Sequence, residues 1–142
     1  MEIEGYNLPD DLYYHKEHYW ARVEGNVVTM GTSDFAQKLA GQIVYVELPS
    51  VGRTVEQGKP CGSMESGKWV GRIYAPVSGK VAVSNQDLED NPELINESPY
   101  DKGWICKITA ANIEADLKNL MKGEGLVDFI KSEIERVKKM KE

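Results

Sequence analysis

The chain has 142 residues, 41% of them hydrophobic, with 17 Lys or Arg against 23 Asp or Glu and a formal net charge of -6. This is the composition of a globular domain with room for a real core; it excludes disorder and collagen-like repeats, and no apolar run approaches the roughly 18 residues of a membrane span. Residues 1 to 110 hold ten basic and sixteen acidic side chains while residues 111 to 142 hold seven of each, so the acidic first part disfavours phosphate backbones and anionic lipid surfaces as partners.

The opening Met1-Glu2-Ile3-Glu4-Gly5 is acidic, unlike a secretory or transit peptide, and makes the cytoplasm the expected compartment. His18 to Glu24 and Asn26 to Gly31 read as two strands joined at Gly25-Asn26, a dipeptide that tolerates the positive φ of a tight hairpin. Thr32-Ser33-Asp34 supplies a helix cap and a first-turn carboxylate, and Phe35, Ala36, Leu39 and Ala40 recur at helical spacing until Gly41. Gln42 to Leu48 is a β-branched and aromatic run ended by Pro49, predicting a strand with much of its surface buried. From Val51 to Ile108 short strands are punctuated by Gly and Pro, the pattern of a small sandwich or flattened barrel, with one surface helical turn over Asn91 to Asn96. Beyond Ile108 the period changes. Ile113, Leu117, Leu120 and Met121 form one helical stripe, and Leu126, Val127, Ile130, Ile134 and Val137 form another past Gly123 and Gly125. These predict a β domain over 1–110 and a helical extension over 111–142 that covers it, with the last cations placed where a helix C-terminus favours them.

The chemistry-bearing residues are few. Cys61 and Cys106 lie 45 residues apart without a CxxC, and His15 and His18 have no third ligand in sequence, so buried thiols and no metal centre are expected. Gly62 to Lys68 nearly spells a phosphate-binding loop. Trp69 stands where magnesium needs a hydroxyl, however, and Glu65 would put negative charge inside the cradle. The remaining reading is a β-hairpin with its tip at Glu65-Ser66-Gly67-Lys68, between strands ending near Met64 and beginning near Trp69; Gly67 permits the bend and Lys68 holds its ammonium in water.

At this point the chain resembles a family, the H proteins of the glycine cleavage system, lipoyl carriers of the biotinyl/lipoyl hammerhead fold. The matching segments are Leu8-Pro9-Asp10-Asp11-Leu12, Gly31 to Gln37, Val44-Tyr45-Val46-Glu47-Leu48-Pro49, Glu65-Ser66-Gly67-Lys68, Ala75-Pro76-Val77-Ser78-Gly79, Asn96 to Tyr100 and Gly103-Trp104. The resemblance implies a mainly β hammerhead with a short internal helix and C-terminal helices. It implies lipoate in amide linkage to Lys68, with Glu65 the acidic residue that a lipoate-attaching enzyme reads and Gly67 beside the lysine. It also implies a non-catalytic protein that shuttles intermediates between partner enzymes.

The pattern departs from the family at the cleft that receives the arm. Where the family has the glutamate of a His-Glu-Trp motif and the histidine of a Thr-Asp-His-Ala-Gln motif, this chain has Tyr19 and Phe35, and Arg72 sits four residues beyond the lysine. A cationic aminomethyl cargo loses carboxylate partners by these changes. They resemble H-like lipoate-binding proteins of sulfur oxidation, so a sulfur-carrying role with a heterodisulfide-reductase-like complex is the preferred expectation. The competing one is aminomethyl transport among glycine decarboxylase, aminomethyltransferase and dihydrolipoamide dehydrogenase. A structural adaptor without a lipoyl group is the alternative of a different class.

Overall fold

The computed structural model describes residues 1–141; Glu142, the last residue of the basic end, lies outside the described residues. The chain runs β1 (Glu2–Ile3), β2 (Tyr6–Asn7), β3 (Tyr13–Tyr14), β4 (Tyr19–Glu24), β5 (Val27–Thr32), α1 (Asp34–Ala40), β6 (Ile43–Glu47), β7 (Thr54–Val55), β8 (Pro60–Ser66), β9 (Val70–Tyr74), β10 (Gly79–Ser84), α2 (Asp87–Asp90), α3 (Leu94–Glu97), β11 (Cys106–Ala110), α4 (Ile113–Leu117) and α5 (Glu124–Lys141). β1 and β2 form a small hairpin, β3-β4-β5-β11-β10-β7 a six-stranded sheet, and β6-β8-β9 a three-stranded one. The body is mainly β, with three short helices (α1, α2 and α3) set among the strands and α4 and α5 at the end; the residue pattern predicts α1, a turn at α3 and the helices at the end.

Local chemistry accounts for the element ends nearest the site. β4 and β5 pair antiparallel from Glu24 against Val27, across a turn in which Gly25 takes φ 66°. Ser33 caps α1, its side chain accepting from the Ala36 N–H at 3.2 Å. Asp34, in the first turn, accepts from the Asn7 N–H, Gln37 and Lys38 at 2.9, 2.9 and 3.1 Å. Burial alone would raise its carboxyl; these bonds together hold it below the usual carboxylate range. Gly41 ends the helix at φ 81°, its N–H donating to the Gln37 carbonyl.

Side chains alternate along β4 between two cores, because successive residues of a strand point to opposite faces. Tyr19 and Ala21 join a core shared by the two larger sheets, with Met30, Ile43, Met64, Ile73 and Ile108. Trp20 joins a second core with Leu8, Tyr14, Phe35, Leu126, Ile130 and Ile134. The i, i+4, i+8 apolar stripe of α5 is therefore buried in this second core, which Ile3 of β1, Trp20 of β4 and Phe35 of α1 share, and Met121 pairs with Tyr14 as an isolated bridge.

Three features differ from the sequence reading. β6 is an outer strand, and a register shift between Ile43 and Tyr45 turns both Val44 and Tyr45 outward, 57% and 53% exposed, so only Ile43 and Val46 are buried. The turn at α3 does not lie loose on the surface, since Ile95 is fully buried in the first core. α2 has no apolar period to announce it and buries a single residue, Leu88. Among the described residues, no helix is long and apolar enough to cross a membrane.

Candidate functional site

The hairpin of β8 and β9 carries the segment singled out by sequence. β8 runs two residues further than the spacing predicts and β9 begins one residue later, at Val70: Glu65 pairs with Val70 on one side and Tyr45 on the other, within the sheet and exposed. The loop is narrowed to Gly67 and Lys68, closed by the Ser66 N–H donating to the Trp69 carbonyl at 2.8 Å. The Lys68 N–H donates to Ser66 Oγ at 3.3 Å. The loop does not use the conformational freedom of Gly67, which is absent from the positive-φ glycines and would meet nothing if it bore a side chain. Its bareness leaves Lys68 unscreened instead.

Lys68 is exposed, and among the described residues it enters no salt bridge. Its stem lies over the end of α1, where a Cβ on Gly41 would come within 2.9 Å of Lys68 Cε. On the other side Trp69 folds back across Gly71, so closely that a Cβ there would fall 1.9 Å from the indole. That packing requires glycine at 71, a demand that the sequence alone does not reveal. A third glycine, Gly62, lets β8 approach β6, since a Cβ would sit 2.5 Å from the Glu47 carbonyl oxygen.

Beside the hairpin lies a cleft of about 640 Å³. Its walls come from four places: Glu17, His18 and Tyr19 at the entry to β4; Ala36, Leu39 and Ala40 on α1; Met64, Trp69, Arg72 and Tyr74 on the hairpin; and Arg136, Val137 and Met140 on α5. Tyr19 and Arg72, both singled out by sequence, meet here. The Tyr19 hydroxyl donates to the Arg72 carbonyl at 2.9 Å and so ties the two larger sheets together. Burial pushes this phenol far above its ordinary pKa, and it stays a donor. Phe35 does not line the cleft. It is 1% exposed within the second core, edge-on to Tyr6 and His18 at 4.9 and 5.0 Å between ring centres. The residue one turn position along, Ala36, takes the wall, because only one face of α1 can look into the cleft. Glu17, absent from the sequence reading, brings a carboxylate to the lining that the substitution at 19 had taken away.

His18 and the two cysteines have structural surroundings. His18 Nε2 lies 2.8 Å from Glu133 Oε1, and burial holds its pKa below the ordinary value despite that partner. Cys61 and Cys106 are free and buried. Burial pushes Cys61 up to about 11 and Cys106 higher still, which is the opposite of an activated thiol. No group of three or more metal-ligating side chains is found among the described residues.

Comparison with known proteins places these features in a family. The family model "Glycine cleavage H-protein" matches residues 12–133. The chain is 49% identical over 123 residues to the glycine cleavage system H protein of Staphylococcus saprophyticus, covering 87% of this chain and 97% of that one. It is 48% identical over 133 residues to the probable glycine cleavage system H protein of Pyrococcus abyssi, covering 93% and 98%. The crystal structure of a glycine cleavage system H protein from Mycobacterium marinum superposes with a TM-score of 0.70 at 34% identity, covering 73% of this chain and 87% of that one.

These relatives do not support the preference for a sulfur cargo or for a heterodisulfide-reductase-like partner; they fit the glycine-cleavage alternative better. That preference rested on Tyr19, Phe35 and Arg72; Tyr19 and Arg72 do line the cleft, but Phe35 is turned into the second core and Glu17 stands in the wall. The exposed hairpin lysine, the adjoining cleft and the matches over most of the chain agree: this chain belongs to the glycine cleavage H-protein family, whose members are non-catalytic carriers with lipoate covalently attached to a lysine.

Proposed function

We propose that Lys68 is the attachment point of the lipoyl group. The chain would then be an aminomethyl carrier serving glycine decarboxylase, aminomethyltransferase and dihydrolipoamide dehydrogenase. The observation that carries this reading is a lysine at the tip of a two-residue hairpin loop, exposed and free of any ion pair among the described residues, beside a cleft with an apolar lining.

The residues present fit such a group. Amide formation removes a charge that enters no ion pair among the described residues, so none of their salt bridges is lost. A saturated arm finds Leu39, Ala40, Met64 and Val137 beside it, and the cleft lies within the ~300–1,000 Å³ typical of ligand pockets. When bound, lipoate supplies a disulfide that opens by thiol exchange or carbanion attack and closes on reoxidation. The protein's own residues do the positioning. Ser66 and the β8–β9 ladder hold the lysine at a fixed point, and Glu65, exposed on the sheet three residues earlier, offers a carboxylate to the lipoate-attaching enzyme. Glu17 suits a cationic cargo, while Arg136 on the facing wall is partly neutralised by its two bonds to Glu133 at 2.8 and 3.1 Å.

The test is intact-mass analysis after incubation with a lipoate-attaching enzyme, followed by exposure to glycine and glycine decarboxylase. The expected result is one lipoyl increment on the Lys68 peptide, absent in Lys68→Arg, and then an aminomethyl increment on the same peptide. A lipoyl increment at another lysine overturns the attachment site. A lipoylated protein that gains no aminomethyl increment overturns the cargo.

A further inference from the structure

A bulky ring stands next to the attachment lysine, and its place is set by a residue two positions further on. Trp69 precedes the first residue of β9 and Gly71 is the second; two apart along an extended chain, they share a face. The indole leans along the chain onto Gly71, where a Cβ would fall 1.9 Å from its Cζ2 and 2.1 Å from its Cη2. Gly71 is not among the glycines with positive φ, so its backbone does not ask for glycine. The indole does.

That seat keeps the ring away from Lys68. Staggered rotation about χ1 lets a side chain at 69 lean forward over 71, stand off the chain, or lean back toward the tip. At the tip a Cβ on Gly67 would meet nothing within 4 Å, so there is open space for a ring that is driven off Gly71, and that space adjoins the lysine. With Gly67 bare and Trp69 seated forward, both flanks of the exposed Lys68 are clear. The remaining side is already occupied, because the lysine stem lies over Gly41 at the end of α1. An enzyme that modifies Nζ needs the clear flanks. The neutral amine must reach the acyl carbon of a phosphate-activated lipoate, where the amide C–N bond forms as the bond from acyl carbon to the activating phosphate breaks, and one amine proton passes to solvent.

We propose that Gly71 is a positioning residue for lipoate attachment: it seats the Trp69 indole forward, so that the ring does not obstruct the enzyme acting on Lys68. This rests on the reading of Lys68 as the attachment lysine and adds to it a pair of residues that controls access to the site. A large residue directly after the lysine is compatible with modification because glycine stands two positions beyond it.

The test measures lipoylation of the full chain by a lipoate-attaching enzyme supplied with lipoate and ATP, as initial rates against carrier concentration, with the increment read by intact mass. Gly71→Ala displaces the ring and should raise KM about tenfold with kcat within about twofold of the parent, the pattern of weakened docking with the chemistry intact. Removing the ring removes the conflict, so Trp69→Ala/Gly71→Ala should return KM to the parent value. Gly67→Trp obstructs the other flank without touching the seat and should raise KM as Gly71→Ala does. It also decides the matter if Gly71→Ala does not fold, which far-UV circular dichroism checks. A parental KM in folded Gly71→Ala or in Gly67→Trp overturns the proposal. So does a double variant as impaired as Gly71→Ala, since glycine would then serve the strand itself. Failure of the attachment reading has a different signature, the absence of any lipoyl increment on the Lys68 peptide of the parent protein.

Discussion

Asn96 is the residue on which the seat of Lys68 depends, and replacing it by alanine should cost about 2 kcal/mol. Its Oδ1 accepts from the Ile43 N–H at 2.8 Å, and its Nδ2 donates to the Gly41 carbonyl at 2.8 Å and to Gln37 Oε1 at 3.1 Å. One amide thus joins the start of β6, the end of α1 and the glycine under the lysine stem. Three hydrogen bonds at ~0.5–1.5 kcal/mol each would sum to about 3 kcal/mol. The groove formed by Gln37, Gly41, Gln42, Glu93 and Asn96 is open on one side, so water can replace part of this, and the lower figure of about 2 kcal/mol is the expected one. With a urea m-value of roughly 1.5 kcal/mol/M the unfolding midpoint falls by about 1.3 M at unchanged m. Equilibrium unfolding followed by tryptophan fluorescence measures it. Asn96→Asp separates the two ends of the amide, keeping the acceptor for Ile43 while placing a carboxylate against two oxygens. A loss below about 0.5 kcal/mol in Asn96→Ala would refute the reasoning, because it would mean that these bonds are no better than those to water.

Gly41→Ala forces a side chain into φ 81°, ψ -169°, a region essentially restricted to glycine, and should cost ~1–3 kcal/mol. It also displaces the lysine stem, so the rate of lipoate attachment, measured in the same variant, should fall. Acidification should destabilise the fold: burial holds His15 and His18 below 6.5, so the unfolded chain binds protons that the folded one refuses, and stability present above pH 6.5 is lost as the pH falls below it. Glu133, held low by Arg136 and then by His18, adds a second loss below its unfolded value of 4.5, and a series of urea midpoints between pH 7 and 4 should decline throughout. Alkylation of Cys61 and Cys106 in the native protein should be slow and become complete only in denaturant, since burial keeps both thiols protonated; fast labelling of either would revive a thiol-based chemistry.

Much of the fold is legible in short stretches because its causes are local. The Gly25-Asn26 turn, the Ser33 cap and the Gly41 stop lie within a few residues of what they control. The same is true of the hairpin that lifts Lys68, since strand pairing and the Ser66–Trp69 backbone bond suffice to raise its tip. The lysine and its acidic neighbour Glu65 could therefore be read directly, as could the apolar stripe of α5.

What could not be read there depends on which face meets which. Tyr19 and Phe35 look alike as aromatic substitutions, yet one pins two sheets beside the cleft and the other fills the second core, because α1 shows only one face to the cleft and β4 alternates between two cores. Glu17, Arg136 and Met140 become neighbours only when α5 folds back along α1, more than a hundred residues after Glu17 has passed. Residue order thus determined the presence of a presented lysine, since that needs only a turn and two strands. The cleft beside it was decided by the packing of elements distant in the chain, since side-chain direction and long-range contact are properties of the assembled body.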